Sequence, residues 1–202
     1  MMMDKRFADL KKIPAVPAAR LLAAALIKLK TKLKSPTSAD VSTVLSELAE
    51  AGAWVEAIQL MSVALPPREC VWWACIAARE VTSGEDTPCL LAAEAWVFKP
   101  DEANREKVQM VLETVDLDDD TALVATAALY AQGTLGPGED VKDIPAPPSA
   151  VSGCAFGMNI KTLKVVADAN QQLQVVLDRA LDIARGGNGK ITDNVQAEAL
   201  MS

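Results

Sequence analysis

One segment, Leu65–Arg79, restricts the fold of this chain more than any other. Its prolines Pro66 and Pro67 are adjacent, and proline fits the first turn of a helix but not a helix interior. The pair therefore predicts the end of one helix and the start of the next. Trp72 and Trp73 follow and project from neighbouring faces of the new helix. Such a helix packs between two partners, which predicts an all-α fold.

Helical patterning extends over nearly the whole chain of 202 residues. Half of the residues are hydrophobic but only 4% are aromatic, and alanine is abundant, which favours close packing of helix on helix. The predicted helices of about 12–16 residues, joined by short loops, are typical of antiparallel neighbours. We expect an irregular antiparallel bundle of about eight helices, with a Gly/Pro-rich extended arm before a long C-terminal helix.

The N-terminal part is distinct from the rest. Residues 1–36 are predicted to form a basic helical extension, because leucines recur at three- and four-residue spacing through residues 18–33. The helical core follows at residues 37–132. Within it, Leu90–Phe98 is apolar almost all round, so we expect this helix to lie at the centre of the bundle.

The composition changes after the core. Residues 133–157 hold five of the ten glycines and four of the eleven prolines, which predicts an extended arm and no helix. One long helix is predicted at Met158–Arg185, in a C-terminal segment, 158–187, that docks on the core, and residues 188–202 are predicted to be a frayed tail. The alternative to docking is exchange of this helix with a second copy in a homodimer.

Charge is unevenly distributed in a chain whose net charge is −7. Residues 1–34 hold nine lysines and arginines against two acidic residues. A solvated basic face beside acidic neighbours explains this pattern, and the alternative is an arm that binds an anionic membrane surface. The net acidic charge, without aromatic residues among the lysines, argues against a nucleic acid as partner.

Other sequence features indicate a cytoplasmic protein. No apolar run approaches the roughly 18 residues that span a bilayer, so we expect no stable membrane insertion. No apolar stretch with a cleavage site follows the first basic residues, which argues against a secretory signal. The four cysteines, which lie in apolar surroundings without metal-ligand spacing, are predicted to be free thiols and not disulfides: Cys70, Cys75, Cys89 and Cys154.

The chain has no histidine, which is the commonest general base and transition-metal ligand. A cysteine nucleophile would therefore lack its usual imidazole partner. The acidic run Asp116–Asp120 matches the first, third and fifth ligand positions of a calcium loop, but Thr121 replaces the glycine and Ala127 the bidentate glutamate. We expect no catalytic residue, no metal site and no cofactor, and a protein that is not an enzyme.

Seven residues are candidates for a structural or interaction role. The tryptophans are expected in the core, with a partner-binding groove as the alternative, since aromatic residues and arginine are enriched at interface hot spots. A carboxylate within an apolar helix is costly to bury unpaired, so Arg68 or Arg79 is the expected partner of Glu94. The candidates are Arg68, Glu69, Trp72, Trp73, Arg79, Glu94 and Trp96.

The segment Leu65–Cys75 resembles the Pro-Arg-Glu-x-Val-Trp-Trp-Ala signature of an uncharacterised bacterial family, a domain of unknown function. Further matches follow in order at Pro100–Arg105, Ile144–Pro148 and Leu181–Gly186. The resemblance covers roughly residues 40–187 and implies a small cytoplasmic helical protein, with no catalytic residues to carry over. The family is often encoded beside genes for type VI secretion and forkhead-associated domains, which implies an accessory role.

Two functions are expected from these features. The first is a non-enzymatic adaptor or chaperone-like interaction protein with a protein partner, accessory to a type VI secretion system. The alternative is a small-ligand-binding protein or enzyme with a charged pocket around Arg68, Glu69, Arg79 and Glu94. A ligand binder brings these four groups together in a deep pocket, whereas an adaptor holds them paired beside an exposed apolar groove.

Overall fold

The computed structural model describes residues 5–116 and 118–191. This part of the chain is all-α, as predicted, and its only β-pairing is an isolated bridge between Thr134 and Pro145. It contains nine α-helices: α1 (Ala18–Ala24), α2 (Val41–Glu50), α3 (Trp54–Ala64), α4 (Pro67–Val81), α5 (Pro88–Phe98), α6 (Glu102–Thr114), α7 (Ala122–Tyr130), α8 (Ala150–Lys161) and α9 (Ala169–Arg185). Two 3-10 turns, Lys5–Phe7 and Thr162–Lys164, complete it.

Local chemistry sets most of the helix ends. Pro67 occupies the first turn of α4. The side chains of Thr87 and Asp101 accept a hydrogen bond from the backbone N–H three residues later, which caps α5 and α6. Gly186 ends α9 with a positive φ of 105°, a conformation that glycine adopts at low cost. The helix start predicted at the proline pair and the helix end predicted at Arg185 are confirmed.

Helix α4 is the centre of the bundle, since it packs against α5, α7, α8 and α9. The prediction that the apolar helix α5 lies at the centre is wrong. Leu91 and Phe98 of α5 are exposed. Among the described residues, the substantial helix contacts of α5 are with α4, α6 and α7. Apolar residues on every face do not require burial on every face, because much of any protein surface is apolar.

The helix predicted through residues 18–33 is wrong beyond Ala24. The chain turns at Leu26, which has a φ of +59°, and residues 27–35 have no regular secondary structure. Lysines four residues apart would repel one another in a helix. The exposed lysines 28, 30, 32 and 34 instead alternate with half-buried residues, namely Ile27, Leu29, Thr31 and Leu33. A two-residue period of this kind is typical of extended chain, and this signal was present in the sequence.

Two carboxylates of the core hold residues 27–35, which we name the lysine segment. Glu47 of α2 accepts hydrogen bonds from the backbone N–H groups of Lys34 at 2.6 Å and Ser35 at 2.8 Å. Glu56 of α3 makes the same kind of contact with two other N–H groups of the segment. The predicted N-terminal helical extension is therefore helical only in α1 and in the Lys5–Phe7 turn.

Helix α8 begins at Ala150, inside the arm predicted at residues 133–157, so the prediction of a wholly non-helical arm is wrong. Glycine weakens a helix, but here it allows close packing. A Cβ on Gly157 would lie 3.2 Å from Cδ1 of Leu123 on α7. Close approach to α7 and α4 therefore offsets the low helix propensity of α8.

The single long helix predicted at Met158–Arg185 is also wrong, because the chain breaks between α8 and α9. Asp168 begins α9 by accepting hydrogen bonds from the backbone N–H groups of Asn170 and Gln171. Helix α9 packs against α3 and α4 of its own chain. In the tail predicted to fray, residues 188–202, Gly189 is buried. Residues 192–202 of this tail lie outside the described residues.

Residues 133–149 form a loop that closes on itself. The backbone N–H of Leu135 donates to the carbonyl of Ile144 at 2.9 Å, and that of Ala146 donates to the carbonyl of Gly133 at 2.9 Å. The loop connects α7 to α8 and does not cross the bundle in extended form.

Throughout residues 5–116 and 118–191, no helix combines the length and apolar character that crossing a bilayer requires.

Candidate functional site

Two of the candidate tryptophans are core residues, as predicted. Trp73 is fully buried, and its indole N–H donates to the backbone carbonyl of Val176 at 3.1 Å. Trp96 is also buried, and its indole nitrogen has no hydrogen-bond partner among the described residues. Neither ring is accessible to a partner.

Trp72 has a different environment, although it is the adjacent residue. It is half-buried, because its face of α4 is turned towards the end of α5 and the turn after α9. Its indole N–H donates to the backbone carbonyl of Asn188 at 2.8 Å. Its ring lies 6.2 Å from the ring of Phe98, tilted by 59°, which is a favourable aromatic geometry. The prediction that Trp72 is a core residue is therefore only partly correct.

Arg68 and Glu69, one turn before Trp72, point to the same region. The Nε of Arg68 donates to the carbonyl of Val97 at 2.7 Å, near the end of α5. The other guanidinium nitrogens of Arg68 have no hydrogen-bond or ion-pair partner in the described chain. Glu69 forms an ion pair with Lys12 at 2.9 Å. Arg68 is thus held in place while part of its hydrogen-bonding capacity remains available.

These side chains surround an open depression of about 280 Å³, which we name the tryptophan cleft. Helices α4 and α5, the N-terminal segment and the turn after α9 all contribute to it. The outer wall is Phe98, whose side chain is 74% exposed. Its lining includes Lys12, Arg68, Glu69, Trp72, Phe98 and Asn188.

Arg79 and Glu94 form a second group, away from the tryptophan cleft. Arg79 lies eleven residues after Arg68 on α4, which corresponds to about 16 Å along the helix axis. It donates to both carboxylate oxygens of Glu94, at 2.8 and 2.6 Å, and pairs with Asp86 at 2.9 Å. Hydrogen bonding to Glu94, with Asp86, raises the pKa of Arg79. The predicted partner for Glu94 is confirmed as Arg79, but the four charged candidates do not share one pocket.

The cysteines are free thiols in the structure, as predicted. Burial raises the pKa of Cys70 to about 12 and that of Cys89 to about 11, and it also raises the pKa of Cys75 well above its usual value. Cys154, which is half-buried, also has a raised pKa because of desolvation. Each thiol is therefore protonated at neutral pH and is a poor nucleophile or metal ligand.

The acidic run before α7 makes a local turn contact and an ion pair. Asp119 accepts hydrogen bonds from the backbone N–H and the hydroxyl of Thr121, each at 2.6 Å. Asp120 pairs with Lys161 of α8 at 2.9 Å, which lowers the pKa of Asp120. Among the described residues, no group of three or more histidine, cysteine or acidic side chains is arranged to hold a metal ion.

Arg105, for which no sequence pattern predicted a structural role, is only 2% exposed. Its Nε donates to the carbonyl of Leu129 at 2.7 Å, and its Nη2 donates to the carbonyl and the hydroxyl of Thr134 at 2.8 and 2.7 Å. It thereby joins the end of α7 to the following loop. Its helical spacing from Val108, on the buried face of α6, was the available signal.

The comparisons with known proteins identify a family and no activity. A family model described as "Family of unknown function (DUF6931)" matches residues 44–184, which is well over half of the chain, so the chain belongs to this family. No curated protein and no solved structure matches the chain. Of the residues that line the tryptophan cleft, Lys12, Gly187 and Asn188 lie outside the matched range, and all the others lie within it.

Proposed function

We propose that this chain, as a member of the DUF6931 family, is a non-enzymatic interaction protein of the adaptor or chaperone-like type, and that the tryptophan cleft is where its partner docks. The observation that carries this proposal is the pairing of Phe98, 74% exposed, with the half-buried Trp72 beside the partly unpaired guanidinium of Arg68. Aromatic residues and arginine provide much of the binding energy at protein interfaces.

The state of the charged groups supports the same proposal. Glu69 is paired with Lys12, and Glu94 is paired with Arg79, so neither carboxylate is placed as a free general base. An exposed aromatic residue beside the neutralised Lys12–Glu69 pair is typical of a docking surface. A partner that offers an apolar side chain to Phe98 and an acceptor to Arg68 fits the cleft.

The alternative is a small-ligand-binding protein. It is favoured by the volume of the cleft, about 280 Å³, which is near the lower end of the range for ligand pockets. In that case the ligand is anionic and contacts Arg68 and Trp72. Arg79 and Glu94 have no part in such a site because they lie in the second group.

We further propose that the partner is a component of a type VI secretion system, with this chain as an accessory factor. The support for this proposal is the gene neighbourhood implied by the resemblance of the Leu65–Cys75 segment to its family.

The test is quantitative affinity capture from the native host with three forms of the full chain: wild type, Phe98→Ser and Arg68→Glu. The matched control is Val165→Ser, which removes an apolar side chain that is 51% exposed in the connection between α8 and α9. We expect a secretion component to be enriched by the wild type and the control and lost with both cleft variants. Equal recovery by all four forms would exclude the cleft as the docking site. Recovery of no secretion component would remove the proposed accessory role.

A further inference from the structure

A second surface, separate from the tryptophan cleft, lies beside α1. It is an open groove of about 590 Å³ between α1 and the lysine segment. Leu26, on its rim, is 83% exposed and has a φ of +59°, a conformation that costs energy for a residue other than glycine. The groove is apolar, and its lining includes Leu22, Leu26, Ile27, Leu29 and Leu33.

Lys28 lines this groove, and further cationic residues lie beside it on α1 and the lysine segment. No acidic residue occurs between positions 18 and 39. The carboxylates of Glu47 and Glu56, which contact the lysine segment, bind its backbone N–H groups. Five exposed cationic side chains make no ion pair or side-chain hydrogen bond with any described residue: Arg20, Lys28, Lys30, Lys32 and Lys34. Two of them still act on the carboxylates through space, since the charge of Lys34 lowers the pKa of Glu47 and that of Lys30 lowers the pKa of Glu56. The groove fits an acidic element that carries an apolar side chain.

The outer face of α6 has the complementary chemistry. Glu102, Glu106, Met110 and Glu113 are all exposed and lie within about 80° of one another around the helix axis. Met110 is 65% exposed, and the side chain of Glu106 makes no ion pair or hydrogen bond with another described residue. Glu102 lies 3.6 Å from Arg105, and Glu113 accepts a hydrogen bond from Gln109 at 3.0 Å. The face thus presents one flexible apolar side chain with Glu106 and Glu113 on one side of it and Lys107 on the other.

The two surfaces do not meet within one chain. Helix α6 packs against α5 and α7, whereas α1 packs against α3 and the lysine segment is held by α2 and α3. We propose that the basic groove of one copy receives the α6 face of a second copy, with Met110 against Leu26 and the glutamates against the lysines. Because the two surfaces differ, the contact is head-to-tail and can extend from copy to copy.

Such a contact depends on salt, since its charges are exposed to solvent. We expect the purified full chain to self-associate reversibly at about 0.02 M salt and to be monomeric at about 1 M, where the screening length is about 3 Å. Sedimentation velocity over a range of protein concentrations measures this. The contact involves none of Arg68, Trp72 or Phe98. A chain that does not self-associate would therefore leave the proposed function of the tryptophan cleft unaffected. In the same way, loss of partner binding at the cleft would leave the proposed self-association unaffected.

Charge reversal tests the identity of the two surfaces. Lys28→Glu with Lys32→Glu alters the groove, and Glu102→Lys with Glu106→Lys alters α6. We expect each double variant alone to associate at least about tenfold more weakly than the wild type at low salt. A 1:1 mixture of the two variants restores both pairs of opposite charge, so we expect association to return. The matched control is Lys164→Glu with Lys190→Glu, two exposed lysines elsewhere, which should associate as the wild type does.

Three results would overturn the proposal. The first is a wild type that is monomeric at low salt. The second is a mixture of the two variants that fails to associate while circular dichroism shows both to be folded. The third is binding to anionic phospholipid vesicles that depends on Lys28 and Lys32 without self-association, which would assign the groove to a membrane surface instead.

Discussion

Trp73 donates its indole N–H to the backbone carbonyl of Val176 at 3.1 Å, and this bond joins residues 103 positions apart. It connects the middle of α4 to the middle of α9, inside a core where both side chains are fully buried. The central helix and the last helix are therefore held together by packing and by a directional contact.

Removal of this side chain should destabilise the protein severely. We expect Trp73→Ala to lower the free energy of unfolding by about 3–5 kcal/mol, because it leaves a cavity at the α4–α9 contact. Urea denaturation measures the loss. Trp72→Ala is the matched control, and its cost should be clearly smaller, because Trp72 is only half-buried. A loss below about 1 kcal/mol for Trp73→Ala would contradict its assignment to the core.

The Arg79–Glu94 pair should stabilise the fold more than the Arg79–Asp86 pair. The side chain of Glu94 is 15% exposed and that of Asp86 is 63% exposed. We expect Glu94→Gln to cost about 1–2 kcal/mol, because it weakens a two-point charged contact that is partly shielded from water. Asp86→Asn should cost less than about 0.5 kcal/mol. Equal costs in thermal or urea unfolding would show that burial does not distinguish the two pairs.

The attachment of the lysine segment should depend on pH. The backbone N–H of Lys34, with further help from Ser35, lowers the pKa of Glu47 in the folded chain, although burial opposes this effect. A carboxylate with a lowered folded pKa stabilises the fold above its unfolded pKa, about 4.3, and this stabilisation is lost as the pH falls through the folded value.

The measurement for this prediction is the urea midpoint of wild type and Glu47→Gln from pH 7 to pH 3. The wild type should be more stable than the variant near neutral pH, and the difference should shrink as the pH falls below about 4. Glu50→Gln, at an exposed position of α2, is the control and should follow the wild type throughout. A difference that stays constant with pH would mean that Glu47 does not act through its charge.

The turn that closes the tryptophan cleft requires glycine at position 189. Gly189 has a φ of +72°, and a Cβ there would lie 2.7 Å from Cδ1 of Ile76. We expect Gly189→Ala to cost about 2–3 kcal/mol, from backbone strain and overpacking together. Gly186→Ala is the control, because it has a φ of +105° but open space around it, and it should cost about 1 kcal/mol.

A second readout links this substitution to the cleft. Asn188, next to Gly189, accepts the indole N–H of Trp72, so Gly189→Ala should shift the nuclear magnetic resonance signal of that N–H. Gly186→Ala should shift it less. Unchanged indole signals together with equal stability losses would contradict the importance of this turn for the cleft.

The candidate site was only partly predictable from the sequence. Arg68, Glu69 and Trp72 are close in sequence and lie on one helix, so helical spacing placed them together. Lys12, Phe98 and Asn188 complete the cleft from three distant parts of the chain, and no local pattern indicated that they meet. Trp72 and Trp73 were equivalent by residue type, and only the packing of α9 decided which of them is fully buried.

By itself, the sequence determined the all-α class and several helix ends, including those at Pro67, Asp101 and Gly186. These features depend on φ restrictions and capping hydrogen bonds within a few residues, which local chemistry sets. Between residues 18 and 33 the sequence carried both a helical and a two-residue period, and the tertiary structure decided that the chain leaves the helical path after Ala24. Only the tertiary structure decided that α8 forms through Gly157. In both cases contacts with distant residues outweigh local propensity: Glu47 and Glu56 hold the lysine segment, and close packing on α7 compensates for glycine.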